Sequence, residues 1–168
     1  RIPLFAMMIG AFFLIACNNG IEEKGNEAVD KVYAVFSGRK TAPNHELDSL
    51  SLYLPFGMES DDTDPYNILL KKGDRSYILF INPHETDDSE VVFETTIQSA
   101  EHIRLQETFA KDGKFGYIVI QDVDRDLYSL TVGIGGMKIT TETDARSLPN
   151  EAEIMMKIVS SITLKNNS

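Results

Sequence analysis

The chain has 168 residues, of which 42% are hydrophobic, and its formal net charge at pH 7 is -10. A chain of this length forms one domain with an ordinary hydrophobic core. The acidic balance disfavours binding to nucleic acid, because phosphate backbones repel a negatively charged surface. Since Cys17 is the only cysteine, no intramolecular disulfide can form, and the fold depends on packing alone.

An uncharged apolar run extends from Ile2 to Ala16, between Arg1 and Cys17. As a helix it would be roughly 22 Å long, short of the ~30 Å hydrocarbon core of a bilayer. A short apolar run after a positive charge is typical of a signal peptide. A buried structural thiol is the alternative for Cys17, but the residues that follow it are polar and offer little to pack around a thiol.

The sequence Leu14-Ile15-Ala16-Cys17 resembles the lipobox of bacterial lipoproteins. The resemblance implies cleavage after Ala16 and a diacylglyceryl group on Cys17, which then becomes the mature N-terminus. Two or more acyl chains, palmitate among them, make such an anchor stable. We therefore expect a signal peptide over residues 1–16, a tether over residues 17–26, and a protein held by lipid at the extracytoplasmic face of the cell membrane.

A helix is predicted from Glu27 to Ser37, followed by Gly38 as a stop signal. Its apolar residues recur at helical spacing and form one face, which we expect to pack against the core. A partner-binding or membrane-lying face is the alternative, but Glu27 and Asp30 make the helix a poor lipid binder. The apolar face consists of Val29, Val32, Tyr33 and Phe36.

Strands are predicted next. Leucines alternate with other residues from Leu50 to Leu54, and the strand ends at Pro55. Asn67–Lys71 and Arg75–Asn82 are apolar runs joined through Lys72-Gly73-Asp74, which predicts a β-hairpin.

The second half of the chain continues with a helix over Ser89–Ala100, favoured over a strand, and a closing helix that begins at Pro149. Between these helices, the Asp122–Asp126 stretch is predicted to be a turn. The strands predicted around it are His102–Phe109, Phe115–Gln121, Leu127–Ile134 and Met137–Thr141. Neighbouring strands with helices at the ends indicate an α+β fold, a mainly antiparallel sheet covered by helices.

Several segments resemble the Mog1/PsbP-like group of α/β/α sandwiches. They are LSLYLPFGM, NILLKKGDRSYILFINP, FGYIVIQ, LYSLTVGIGGMKITT and a final helix running into IVSSI. The resemblance covers most of residues 27–164, the predicted single domain, and leaves residues 165–168 as a polar tail. Members of this group serve as protein-binding or assembly factors more often than as enzymes, so the resemblance implies a non-enzymatic domain without catalytic residues.

Residues that could hold a metal ion do not form a recognisable pattern. A zinc site usually needs paired ligands, and His45, His84 and His102 stand alone, as solvated loop histidines do. Asp122, Asp124 and Asp126 have the alternate spacing that opens a calcium-binding EF-hand loop. That motif next requires glycine at its sixth place and an acid at its twelfth, where this chain has Leu127 and Gly133. We therefore expect no metal and no cofactor.

Glycines from Gly133 to Gly136 could suggest a dinucleotide-binding loop. The segment lacks the third glycine of that fingerprint and a strand follows it, so a bulge or tight bend within a sheet is expected instead. No serine stands in a Gly-x-Ser-x-Gly pattern, and no catalytic residue can be named.

The sequence thus favours a lipid-anchored lipoprotein of the cell envelope whose non-enzymatic domain binds another envelope protein. Two alternatives remain open. One is a lipoprotein that binds a small ligand or a divalent ion through the acidic loops at Asp61–Asp64 or Asp122–Asp126. The other is an envelope hydrolase, which would need a cleft with a perturbed histidine or carboxylate.

Overall fold

The computed structural model describes residues 19–61 and 64–165. Cys17, Ala16 and the expected signal peptide lie outside the described residues. The helices are α1 (Asn19–Ser37), α2 (Val91–Ser99) and α3 (Leu148–Ser161). The strands are β1 (His45–Glu46), β2 (Leu50–Leu52), β3 (Glu59–Asp61), β4 (Asn67–Lys72), β5 (Arg75–Ile81), β6 (Ile103–Lys111), β7 (Lys114–Asp124), β8 (Leu127–Ile134), β9 (Met137–Thr143) and β10 (Thr163–Leu164).

A seven-stranded antiparallel sheet in the order β3-β4-β5-β9-β8-β7-β6 forms the centre of the fold. A small sheet in the order β1-β2-β10 lies beside it. Helices α1 and α3 pack against each other and against one face of the large sheet, while Phe93 of α2 packs on the other face. The predicted α+β class, an antiparallel sheet covered by helices, is confirmed.

The face under α1 and α3, here called the α1/α3 face, carries the main core. Because side chains alternate along a strand, every second residue of the long strands points to this face. The fully buried members include Leu79, Ile118, Leu130, Val132 and Ile139, which form one cluster with Ala28 and Val32 of α1 and Met155 and Ile158 of α3. Burying each large aliphatic side chain stabilises the fold by about 1.5–3 kcal/mol.

The opposite face, here called the α2 face, carries a smaller cluster. Phe93 of α2 packs on Tyr117 with ring centroids 5.2 Å apart, and Val119 completes the buried set. Tyr117 lies directly opposite Gly133 on the neighbouring strand. A Cβ atom at Gly133 would overlap the Tyr117 ring, so this glycine is what allows the ring to lie across β8.

Helix α1 begins at Asn19, earlier than the predicted start at Glu27. Most of the segment predicted as a tether is therefore helical. Ile21 is only 7% exposed, and Gly25 lets the helix approach Leu105, whose Cδ1 atom would be 3.2 Å from an added Cβ. The polar composition of this segment concealed a narrow apolar stripe that continues through Ala28.

The predicted turn over Asp122–Asp126 is shorter than expected. Strand β7 continues to Asp124 with a bulge between Asp122 and Asp124, and Arg125 and Asp126 alone connect it to β8. Asp126 adopts a left-handed backbone conformation with φ of 54°, which the short turn requires. Three further strands, β1, β3 and β10, were not predicted, because each has only two or three residues and no alternation of apolar with polar side chains.

The two glycine signals for tight turns are confirmed. Gly73 and Asp74 connect β4 to β5, and Gly135 and Gly136 connect β8 to β9. Gly73 and Gly135 have φ values of 58° and 53°, a region that favours glycine. The glycine-rich segment is therefore a bend within the sheet, as the sequence predicted.

We expect Gly133→Ala to lower the free energy of unfolding by about 1–3 kcal/mol or more, because the new methyl group would meet the buried Tyr117 ring. Gly20→Ala is the matched control. Gly20 is in α1 with nothing within 4 Å of an added Cβ, so stability should stay constant or rise by up to about 1 kcal/mol. Urea unfolding of both variants measures the difference, and equal stabilities would contradict the packing described here.

Candidate functional site

Helix α2 covers only part of the α2 face and leaves the rest open. The open part, here called the open face, lies toward the β4–β5 hairpin. At its centre Ile78 is 56% exposed although β4 and β9 flank it on both sides. The open face consists of Leu69, Ser76, Ile78, Ser129, Thr140 and Glu142.

The open face lines part of a cavity of about 900 Å³, which continues to the point where β5 and β9 stop pairing. The ladder between these strands ends at Tyr77 and Thr141. Beyond it, the Thr141 hydroxyl donates a hydrogen bond of 2.7 Å to the Ser76 carbonyl oxygen in place of a backbone pair. The cavity therefore reaches from the open face to Glu151 in the first turn of α3.

Three side chains interact at the inner end of the cavity. The Tyr77 hydroxyl donates to Glu151 Oε2 at 2.7 Å, and Arg75 Nη1 lies 2.5 Å from Glu151 Oε1. The contact of Arg75 is an ion pair whose angle is not that of a hydrogen bond. Burial, followed by the hydrogen bond to Glu151, raises the pKa of Tyr77 above its ordinary value. The Tyr77 hydroxyl thus donates its hydrogen to a carboxylate of α3.

The histidines singled out in the sequence lie in separate places. His45 Nε2 is 3.0 Å from Ser60 Oγ, between β1 and β3. His84 follows β5 in a turn, and His102 precedes β6. Over residues 19–61 and 64–165, no group of three or more His, Cys, Asp or Glu side chains could hold a metal ion.

Two carboxylates of the acidic loops, those of Asp64 and Asp122, have partners within the protein. Asp122 accepts two hydrogen bonds from Arg104, at 3.0 and 2.7 Å. Asp64 accepts from the backbone N–H groups of Tyr66 and Asn67, which lowers the pKa of its carboxyl group. These two carboxylates have protein partners, so neither is an open ligand.

Sequence reasoning did not identify the open face. The run Tyr77–Ile81 is apolar at every position, which is typical of a strand buried on both sides. Only Tyr77, Leu79 and Ile81 are buried, while Ile78 is exposed. The unbroken apolar run was the available signal, but it does not reveal which half of the second face a short helix covers.

Comparison with known proteins gives a distant structural likeness. No protein family matches this chain, and no curated protein matches it. The fold is similar to the solution structure of cyanobacterial PsbP (CyanoP) from Synechocystis sp. PCC 6803, with 11% sequence identity and a TM-score of 0.43. The match covers 74% of this chain and 98% of that chain.

In the part of the chain that the structure describes, no helix is long and apolar enough to cross a membrane.

We expect the stability of the protein to fall with rising pH once the pH exceeds the ordinary tyrosine pKa of 10.0, because the pKa of Tyr77 is raised in the folded state. Below that pH, Tyr77 is protonated in both the folded and the unfolded state, and its stabilising contribution is fully present. Above it, the unfolded chain loses the proton first, and the contribution disappears as the pH approaches the folded-state pKa.

Tyr77→Phe should lower the free energy of unfolding at pH 7 by about 1.5–3 kcal/mol, since it removes a hydrogen bond to a charged group. It should also reduce the loss of stability at alkaline pH. Tyr117→Phe is the control, because burial likewise raises the pKa of Tyr117, but its hydroxyl lies near Thr96 without the geometry of a hydrogen bond. We expect this variant to reduce the loss of stability at alkaline pH without destabilising the protein at pH 7. Urea titrations at pH 7 and above pH 10.0 measure the free energy of unfolding of both variants. If both variants lost the same stability at pH 7, the result would contradict this account.

Proposed function

We propose that this protein is a lipid-anchored lipoprotein of the cell envelope whose non-enzymatic domain binds another envelope protein through the open face. The observation that carries the proposal is Ile78, which is 56% exposed on a strand in the interior of the sheet. The β5 residues that point to the opposite face are buried there by helices. Ile78 points away from these helices and is therefore accessible to a partner.

The composition of the open face supports protein binding. Leu69 and Ile78 lie side by side as an apolar pair, and Thr140 extends the row. Around them lie Ser76, Ser129 and Glu142, which can form hydrogen bonds at a rim. An apolar centre with a polar rim is the usual composition of a protein interface, and such patches on a monomer often have a binding function.

The interactions inside the adjoining cavity support a non-enzymatic role. Glu151 is engaged by both Arg75 and Tyr77, so its two oxygens already have partners. A general base or a nucleophile needs a free position within reach of substrate. Arg75, Tyr77 and Glu151 instead connect β5 to α3 and hold this end of the open face in place.

The lipobox supports lipid anchoring, and the position of α1 supports a domain held close to the membrane. Two peptide links separate Cys17 from Asn19, the first residue of α1, and an extended chain spans at most about 3.6 Å per residue. A lipid on Cys17 would thus be attached two residues before a helix that packs on the sheet.

The anchor is tested by the intact mass of protein extracted from membranes of its own cells. We expect a chain that begins at Cys17 and carries the mass of a diacylglyceryl group. The Cys17→Ser variant is the control and should keep residues 1–16 and lack lipid. An unmodified or freely secreted wild-type chain would contradict the anchor and would leave the binding role of the open face to be judged separately.

The binding face is tested by placing a photoreactive benzoylphenylalanine at Ile78 or, as the matched control, at Val123. Val123 is an aliphatic strand residue that is 49% exposed at the end of β7. We expect a discrete cross-link to one envelope protein from position 78 and none from position 123. Absence of an adduct at position 78, or the same adduct from both positions, would sink the proposal.

The complex, rebuilt from purified components, gives the energetic test. Ile78→Asp should weaken binding at least about tenfold, the effect of losing an apolar anchor at an interface centre. Val123→Asp should change the affinity less than about twofold, as substitutions outside an interface centre do.

A further inference from the structure

A second cavity lies on the α2 face, next to the open face and beside helix α2. Its volume is about 300 Å³, at the lower end of the range for small-molecule sites. It lies between the start of α2 and the paired ends of β5 and β9, where Phe80 is directly opposite Lys138. The cavity, here called the Lys138 pocket, is lined by Phe80, Asn82, Val91, Val92, Thr95 and Lys138.

Lys138 brings a positive charge to this pocket without a carboxylate to balance it. Its ammonium donates to Thr96 Oγ1 at 3.0 Å and lies 5.8 Å from the centroid of the Phe80 ring. Thr96 in turn donates to the Val92 carbonyl oxygen at 2.7 Å. No acid among the described residues forms an ion pair with Lys138. Four other lysines do have such partners, in the pairs Lys24–Glu27, Lys31–Glu153, Lys157–Glu153 and Lys165–Glu46.

Because Lys138 is partly buried, the absence of a carboxylate partner costs free energy. Removal from water lowers the pKa of Lys138, and no neighbouring charge acts in the opposite direction. A half-buried ammonium regains stabilisation when an anion supplies the counter-charge and accepts its remaining hydrogen bonds. Thr96 uses one of the three ammonium hydrogens, so two are available to an anion.

Asn82 offers a second donor of suitable chemistry. Its Oδ1 atom accepts a hydrogen bond of 3.1 Å from the backbone N–H of His84, which assigns the other end of the amide as the nitrogen. That nitrogen has no hydrogen-bond partner among the described residues. Phe80, Val91 and Val92 supply apolar walls. The pocket therefore combines two kinds of N–H donor with apolar surface.

From this combination we infer that the Lys138 pocket binds a small monocarboxylate with a short apolar chain. The carboxylate oxygens accept hydrogen bonds from Lys138 Nζ and Asn82 Nδ2, and the apolar chain packs against Phe80 and the valines of α2. The volume of the pocket suits a ligand of a few carbon atoms. This site is separate from the open face and does not depend on protein binding there.

The inference is tested with hexanoate as the probe and hexanol as the uncharged control, added to the full 168-residue chain. Each lysine is acetylated in trace amounts with succinimidyl acetate and measured by mass spectrometry. At hexanoate concentrations about ten times the dissociation constant, acetylation of Lys138 should slow about tenfold. Lys71, exposed on the same face of the sheet, should react at an unchanged rate and is the internal control.

The matched variants are Lys138→Met and Lys71→Met, compared by calorimetric titration with hexanoate. Lys138→Met should bind at least about tenfold more weakly, and Lys71→Met should bind as the wild type does. If Lys138→Met does not fold, the acetylation experiment on the wild-type chain decides alone. Protection of Lys138 by hexanol as strong as by hexanoate, or no protection at saturating hexanoate, would overturn the inference.

Discussion

The alternation of side chains along the four central strands is the constraint on which the rest of the structure depends. Leu79, Ile139, Val132 and Ile118 pair directly across β5, β9, β8 and β7 and form one continuous apolar row. A slip of one residue in any pair would move half of this row to the opposite face. Because the register is held by burial on the α1/α3 face, the composition of the α2 face follows from it.

The α2 face is divided by a single contact between an aromatic ring and a glycine. Tyr117 lies across Gly133, and Phe93 packs on Tyr117, which positions α2 over β7. Ile78 of β5 remains uncovered by α2, and the Lys138 pocket lies beside α2, two residues further along β5. In the row of Ile78, the hydroxyls of Thr131 and Thr140 are 2.9 Å apart and join β8 to β9. The two sites are therefore neighbours on the same face of the sheet.

Much of the fold could be predicted from sequence because its signals are local. Gly73 and Gly135 supply the positive φ values that two-residue turns need, and the apolar alternation of β8 gives both of its ends correctly. The start of α1 could not be predicted, since Ile21 and Gly25 favour a packed helix only when Leu105 and Ile120 lie beneath them. That proximity is created by strands more than seventy residues later in the chain.

The candidate sites were less predictable for the same reason. In sequence, Lys138 is an ordinary polar residue of an amphipathic strand, and Ile78 is an ordinary apolar one. Their interest arises from what surrounds them: Lys138 has a hydroxyl and a ring but no carboxylate, and Ile78 has neighbours but no cover. A missing partner is a property of the tertiary structure and leaves no pattern in a single sequence.

Helix α1 also determines how the domain responds to mechanical load. Ile21, Ala28 and Val32 enter the main core from a helix whose first residue is Asn19, so tension applied at that residue acts on core packing without intervening slack. Peeling the first turns of α1 from the sheet would uncover Leu105 and Ile120. Pulling from this end would thus act first on the side-chain packing under α1, at a distance from the hydrogen-bond ladders of the sheet.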